Sequence, residues 1–166
     1  MQKYSSKIYK VIRAISPLIS LRGLIEFSGH KFILPFYHTV ADHDLPHVKH
    51  LYRVKSSAEF EKDLDILLKY YKPMAVSELI RRNKRAVMEV RKPRFLLTFD
   101  DGMREVKDVI LPILKRKGIP ATFFLTSDFI DNMKLFFRHK ASLIIEHLET
   151  HLLTKAEKSK IAELLS

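Results

Sequence analysis

The sequence predicts an α/β fold in which parallel strands and helices alternate along the chain. Residues 94–99 and 121–126 are apolar nearly throughout, as expected for strands covered on both faces of a sheet. Between them, residues 106–117 carry Val109, Ile110 and Ile113 at helical spacing. A strand, an amphipathic helix and a second buried strand make a βαβ unit with a right-handed crossover. An open α/β sheet and an α/β barrel both fit this pattern.

The residues before this unit predict further alternation. Residues 5–28 are typical of a helix that ends at Gly29, and residues 31–37 are typical of a short buried strand. A capping box, Ser56 with Glu59, predicts the start of a helix that ends before Pro73. Residues 74–76 are predicted as a small strand, followed by a short helix from Ser77.

Proline and glycine set the limits of the helix predicted over residues 106–117. Pro112 lies inside it and predicts a kink or an irregular first half, because proline has no N–H to donate. Gly118 fits the position just after the helix, and Pro120 prevents continuation.

After Ser127 the alternation stops, and two helices are predicted without a further strand. The first covers residues 136–151, and the second opens with a capping box at Thr154 and Glu157. We therefore divide the chain into a basic amphipathic helix (1–30), an α/β region (31–131) and a helical segment (132–166).

Composition limits the chemistry that the chain can support. Its 166 residues suffice for one domain with a core. It has no cysteine, so any metal must be held by His, Asp or Glu. The net charge of +11, with basic clusters at 81–85 and 91–94, suits a polyanion such as nucleic acid, anionic lipid or acidic polysaccharide. A solvated basic face without a partner explains the same charge, and the second cluster also fits a strand entry.

No apolar run reaches the roughly 20 residues that span a bilayer. The N-terminal residues lack a small-residue cleavage site and predict a basic amphipathic helix instead of a signal peptide. Such a helix lies on a membrane surface or packs on the domain. We predict a cytoplasmic protein, or one at the inner membrane face.

The residues with the clearest chemical potential are Asp100 and Asp101, which end the strand at 94–99. Parallel strands carry functional groups at their C-terminal ends. Two adjacent carboxylates there are costly unless something compensates them. A divalent metal would offset one carboxylate and leave the other as a general base. The alternative is that the pair caps a helix or makes a turn with Gly102.

Residues 95–102, Phe-Leu-Leu-Thr-Phe-Asp-Asp-Gly, resemble the first motif of the polysaccharide deacetylase family, also called the NodB-homology or chitin-deacetylase-like family. Residues 121–125, Ala-Thr-Phe-Phe-Leu, are similar to the next strand of that family. Residues 37–40, Tyr-His-Thr-Val, resemble its early Tyr-His element. The similarity runs from about residue 32 to 130.

This resemblance implies a distorted (β/α) barrel, incomplete in this chain. It implies a hydrolase that acts on carbon–nitrogen bonds other than peptide bonds and removes acetyl groups from acetylated polysaccharides or oligosaccharides. By resemblance, Asp100 is the general base and Asp101 is a ligand of a divalent metal, usually zinc. His38 is expected on the same barrel face as Asp100, where it contacts substrate or supports the metal site. Local hydrogen bonding of His38 is the alternative.

The family takes two more metal ligands from a later His-x-x-x-His motif, and its general acid is a still later histidine. His43 and His47 have this spacing but precede the aspartates. His147 and His151 follow them and, four residues apart on a helix, could bind one metal. The plain amphipathic helix around this pair favours the alternative that both face solvent. We therefore expect residues 132–166 to be a helical insertion, as in some bacterial relatives, with the ligating histidines beyond Ser166. On this hypothesis the chain is a fragment that does not catalyse by itself.

A different class of function also fits. The chain could be a non-catalytic basic module that binds a polyanion or a membrane surface through a decayed catalytic fold. Nucleic acid is not the expected partner.

Overall fold

The fold is organised around one central strand, residues 94–99. The computed structural model describes residues 20–81 and 92–165. All strand pairs in this part of the chain are parallel, in two three-stranded sheets of order β1–β4–β3 and β2–β5–β6. The strands are β1 (Phe32–Ile33), β2 (Phe36–Tyr37), β3 (Lys72–Pro73), β4 (Arg94–Phe95), β5 (Leu97–Phe99) and β6 (Ala121–Phe123).

Backbone hydrogen bonds join the two sheets into one layer. The N–H groups of Arg94, Leu96, Thr98 and Asp100 donate in turn to the carbonyls of residues 31, 33, 35 and 37, at 2.8–3.1 Å. The two predicted strands, 31–37 and 94–99, therefore run side by side over their whole length. On the opposite edge, β3 pairs with the start of the central strand and β6 with its end. The mixed α/β architecture with parallel strands is confirmed, whereas the described residues show a sheet and no closed barrel.

Most predicted helix boundaries are confirmed. Ser56 and Glu59 make both hydrogen bonds of a capping box, and so do Thr154 and Glu157. Gly29 and Gly118 end their helices with φ angles of 67° and 63°. The helices are α1 (Leu21–Ser28), α2 (Ser57–Tyr70), α3 (Val76–Arg81), α4 (Leu111–Lys117), α5 (Phe137–Thr150) and α6 (Lys155–Leu165). Of the helix predicted over residues 5–28, residues 5–19 lie outside the described part of the chain.

The strand predicted over residues 74–76 is wrong. Strand β3 lies two residues earlier, and α3 already begins at Val76. The apolar residues 74–76 are typical of a strand. Met74 is fully buried, but it comes directly after β3, where its N–H donates to Phe95 O at 2.9 Å. The helix predicted to end before Pro73 does so, at Tyr70, and Pro73 itself belongs to β3, an edge strand that tolerates a residue without an N–H. The strand predicted over residues 121–126 is also shorter in the structure, where β6 ends at Phe123.

Pro112 produces the irregular first half that the sequence predicts. Residues Val106–Ile110 form a π-helix that leads directly into α4. Pro112 cannot donate to a carbonyl one α-helical turn earlier. The N–H of Leu111 bonds to Val106 O, five residues back, so the turn before proline is widened.

The core packs α2 and the helical region 106–117 against the sheet. Phe60 and Leu64 of α2 are fully buried with Phe95 and Phe99 of the central strand. The rings of Phe60 and Phe99 lie 6.1 Å apart in an edge-to-face arrangement. A smaller cluster, made of Ala41, Leu45 and Val48 with Val54 and Met103, anchors the loop that follows β2.

The basic clusters differ in what surrounds them. Arg94 is buried at the start of β4, and its Nη1–H donates to Glu78 Oε2 at 3.2 Å, so here the cluster is a strand entry. Residues 82–91, which hold most of the remaining basic residues of both clusters, lie outside the described part of the chain. None of the helices within residues 20–81 and 92–165 is long and apolar enough to cross a bilayer.

Leu64→Ala should lower the free energy of unfolding by about 2–5 kcal/mol, because it removes a fully buried side chain and leaves a cavity. Ile66→Ala, on the same helix but half exposed, is the matched control and should cost far less. Urea denaturation of both variants measures the difference. Equal losses would contradict the orientation of α2.

Candidate functional site

The last hydrogen bond of the central strand brings three predicted site residues together. Asp100 N–H donates to Tyr37 O at 3.1 Å, so β2 and β5 end side by side. Just beyond this bond, His38 Nε2 lies 4.0 Å from Asp101 Oδ2. All three side chains, His38, Asp100 and Asp101, are partly buried. Sequence reasoning placed them on one face, and the structure does the same.

The turn after the strand has unusual backbone geometry. Asp101 and Gly102 both have φ angles of 70°, and Gly102 N–H donates to Asp100 O at 2.9 Å. A non-glycine residue in this region stores about 1–3 kcal/mol of strain, although aspartate tolerates it better than most. A Cβ on Gly102 would lie 2.5 Å from Cδ2 of Leu125, an exposed side chain that can move aside, so the positive φ is what favours glycine here. The π-helix that follows has Glu105 at its N-cap and no side-chain cap, so neither aspartate caps it.

Asp100 and Asp101 open into a cavity of about 830 Å³. This volume is within the range that small-ligand sites occupy. Its lining combines imidazoles, carboxylates, aromatic rings and one guanidinium. The lining residues are His38, His50, Leu51, Tyr52, Asp100, Asp101, Phe124, Leu125, Thr126, Phe136, Arg138 and His139.

Tyr52 was not predicted as a site residue. Its ring lies 5.6 Å from that of His38. Burial first, and then the negative charges of Asp101 and Glu105, raise its pKa to about 12. At neutral pH Tyr52 is therefore a neutral phenol that can donate a hydrogen bond into the cavity. A lone tyrosine in a polar loop gave no sequence pattern that would have identified it.

His139 was missed as well, although it is almost fully buried beside the cavity. Its ring lies 5.4 Å from that of His47 and 5.8 Å from that of Phe136. Burial, and secondarily the charges of His47 and His38, lower its pKa below 6.5, while Asp101 opposes this shift. In the sequence it lies between Arg138 and Lys140, which is typical of a solvent-facing stretch.

Helix α5 packs through polar residues, and this explains why His139 is buried. The buried residues of α5 are His139 and Ser142, whereas Ile144, Ile145 and Leu148 are exposed. The apolar stripe of this helix therefore does not face the sheet. Among the described contacts, the helix is held instead to the loop after β2, which contains His43, His47 and His50.

Ser142 is the centre of that contact. It is fully buried, and its hydroxyl donates to Pro46 O at 2.7 Å while accepting from His50 N–H at 3.3 Å. One turn further along α5, Glu146 accepts from Lys49 and His50. The segment after residue 132 thus supplies Phe136, Arg138 and His139 to the cavity lining.

The two His-x-x-x-His spacings do not meet at this cavity. The exposed rings of His147 on α5 and of His151 directly after it stack at 4.4 Å, and neither lines the cavity. This placement agrees with the prediction that both face solvent. His47 packs against His139, whereas His43 is exposed.

Two sets of side chains could contribute to a metal site. At the aspartates, Asp101 and His38 offer one carboxylate oxygen and one imidazole nitrogen 4.0 Å apart. Within residues 20–81 and 92–165, one group of three potential ligands lies within 4.8 Å of one another, namely His50, Glu146 and Glu149.

A family model described as polysaccharide deacetylase matches residues 88–159. The match confirms the predicted resemblance to the polysaccharide deacetylase family over this segment. The matched segment contains Asp100 and Asp101. It extends past residue 130, where the similarity predicted from the sequence ends, and includes α5. No protein of curated function matches the chain.

One solved structure shows a related fold over part of its length. The structure of the Streptococcus pyogenes deacetylase PplD in complex with acetate has a TM-score of 0.52 and 19% identity, covering 69% of this chain and 52% of that protein. A structure of a de-N-acetylase from Aggregatibacter actinomycetemcomitans has a TM-score of 0.49 and 24% identity, covering 61% and 39%. This chain thus spans about half of each protein or less.

The pKa of His139 should respond to its neighbours in a defined way. His47→Gln should raise it by removing a nearby positive charge, and Asp101→Asn should lower it by removing a negative one. NMR titration of the imidazole protons in the presence of a chelator measures both shifts. His147→Gln, which alters an exposed histidine on the same helix, should leave it unchanged. A wild-type pKa at or above 6.5 would contradict the buried placement.

Proposed function

We propose that this chain forms part of the active site of a metal-dependent carbohydrate deacetylase. The observation that carries the proposal is the convergence of His38, Asp100 and Asp101 in one cavity, at the C-terminal ends of adjacent parallel strands. Two of the three residues lie in the segment that matches the polysaccharide deacetylase family. The reaction is the hydrolysis of an acetyl group from an N-acetylated sugar.

Asp100 is proposed as the general base. Its N–H makes the last hydrogen bond of the central strand, to Tyr37 O, so its backbone is fixed by the sheet. Its partly buried carboxylate lines the cavity and can take the proton of an attacking water molecule. The departing amine must also be protonated to leave, a role that the resemblance gives to a later histidine and not to Asp100.

Asp101 is proposed as a ligand of the divalent metal, with zinc as the expected ion. The donor set fits such an ion, since a carboxylate and the His38 imidazole lie 4.0 Å apart and both belong to the usual ligand types of zinc. When bound, the metal would polarise the acetyl carbonyl and lower the pKa of water. Catalytic zinc usually has three protein ligands, and Asp101 is the residue of this chain that matches the family ligand set.

His38 and Tyr52 are proposed to contact the substrate. The imidazole of His38 is one-third exposed and borders Asp101, so it can hydrogen-bond to a group held beside the aspartates. The neutral phenol of Tyr52 can donate to a sugar or acetyl oxygen. Phe124 and Phe136 add large apolar surfaces to the same cavity, and sugar rings can pack on such surfaces.

Asp100→Asn and Asp101→Asn separate the two proposed roles. In the full-length protein, Asp100→Asn should keep metal affinity and lose turnover by about a hundredfold or more, because only the base is removed. Asp101→Asn should raise the zinc concentration needed for half-maximal activity, because a charged ligand becomes neutral. Acetate release from an N-acetylglucosamine oligomer and calorimetric zinc titration measure these effects.

Asp108→Asn, on the exposed side of the π-helix, is the matched control and should change neither property. Equal loss of metal in both active-site variants would show that the roles are misassigned. Wild-type protein that binds an acidic polysaccharide or anionic vesicles without releasing acetate would favour the basic binding module instead.

A further inference from the structure

We propose that His50, Glu146 and Glu149 form a binding site for a first-row divalent cation of the zinc class, distinct from the metal site proposed at Asp101. Each residue offers one ligand atom, and the three atoms lie within 4.8 Å of one another. His50 Nε2 lies 2.8 Å from Glu146 Oε2 and 3.9 Å from Glu149 Oε2. An ion placed among them needs only small side-chain rotations to reach bond lengths of about 2.0–2.2 Å.

The two sides of this site are held in position without an ion. Glu146 and Glu149 are three residues apart on α5, so they share one face of the helix. His50 comes from the loop opposite. Ser142 is fully buried between these two segments and hydrogen-bonds to both Pro46 O and His50 N–H. The ligands are therefore presented by a backbone contact that already exists.

The donor set defines the class of ion. One imidazole nitrogen with two carboxylate oxygens suits zinc and neighbouring divalent metals, whereas an all-oxygen set would suit calcium or magnesium. A carboxylate only accepts hydrogen bonds, so at present His50 Nε2–H donates to Glu146. An ion needs the Nε2 lone pair as its ligand, so binding requires the neutral tautomer of His50 that carries its proton on Nδ1.

Lys49 is a built-in competitor for this site. Its Nζ lies 3.0 Å from Glu146 Oε2 and 3.1 Å from Oε1, so it neutralises one of the two carboxylates. With neutral His50, the four side chains carry a net charge of −1. Without Lys49 the charge is −2, and attraction for a divalent cation must increase. If these side chains form only a structural ion-pair network, removal of Lys49 should lower the stability of the fold without any gain in metal affinity.

Occupation of the site would reinforce one side of the cavity. His50 itself lines the cavity, and α5 contributes Arg138 and His139 to it. An ion that bridges the loop and the helix would therefore stabilise the position of these cavity residues relative to the aspartates.

The test is calorimetric titration with zinc and manganese in the full chain carrying Asp101→Asn, His147→Gln and His151→Gln. This background removes the proposed catalytic ligand and the stacked histidine pair, so the result does not depend on the deacetylase proposal. We expect one site per chain and a rise in melting temperature on metal addition. Glu149→Gln should weaken binding about tenfold or more, a loss that even outer partners of metal ligands can cause. Glu149 is mostly exposed, so this substitution should leave the apo-protein folded.

Lys49→Met should tighten binding by about threefold or more, whereas Glu26→Gln, a distant exposed glutamate on α1, should have no effect. Two outcomes would overturn the proposal. One is unchanged affinity in Glu149→Gln, and the other is equal or weaker affinity in Lys49→Met, because either would show that these residues form only an ion-pair network.

Discussion

The pairing of the central strand with residues 31–37 is the interaction on which the rest of the structure depends. Its hydrogen bonds run without a break from Arg94 to Asp100, across the single residue that separates β4 from β5. Because the pairing is parallel and in register, it places His38 beside Asp100 and Asp101 at one edge of the sheet. A shift of one residue would turn Phe95, Leu97 and Phe99 away from the core and would separate these three polar residues.

The cavity at this edge is assembled from segments that are distant in sequence. The strand ends supply His38 and the aspartates, the loop after β2 supplies His50 and Tyr52, and α5 supplies Arg138 and His139. Ser142 connects the last two segments through its hydrogen bonds to residues 46 and 50. A helix that looks like an appendage in the sequence is therefore part of the candidate site, and the family match to residue 159 includes it.

Features set by local chemistry could be predicted from the sequence. The two capping boxes, the glycine helix ends and the irregular turn before Pro112 each follow from a few neighbouring residues, and each is observed. Asp100 and Asp101 were recognised because a carboxylate pair directly after an apolar strand is unusual. Their proximity to His38 followed from the rule that parallel strands end at one edge.

Features set by tertiary contacts could not be predicted. The sequence predicts that α5 is amphipathic but not how it docks, because it docks through Ser142 and Glu146, whose partners lie more than 90 residues earlier. Neither His139 nor Tyr52 belongs to a motif, so their places beside the cavity follow only from tertiary contacts, those of α5 for His139 and the ring contact with His38 for Tyr52. The position of β3 also depends on tertiary contacts. Met74 is buried, as a strand residue would be, but it follows β3 and does not belong to it.

We propose that the aspartates, His38 and the docked helix α5 form one carbohydrate-binding cavity. An NMR titration of the isotope-labelled protein with an N-acetylglucosamine oligomer, with backbone amides as probes, tests this directly. We expect saturable shifts concentrated at residues 38, 50–52, 100–102, 124–126 and 136–139. Shifts centred instead on residues 143–160 or on the basic surface, or no shifts at millimolar oligomer, would contradict it.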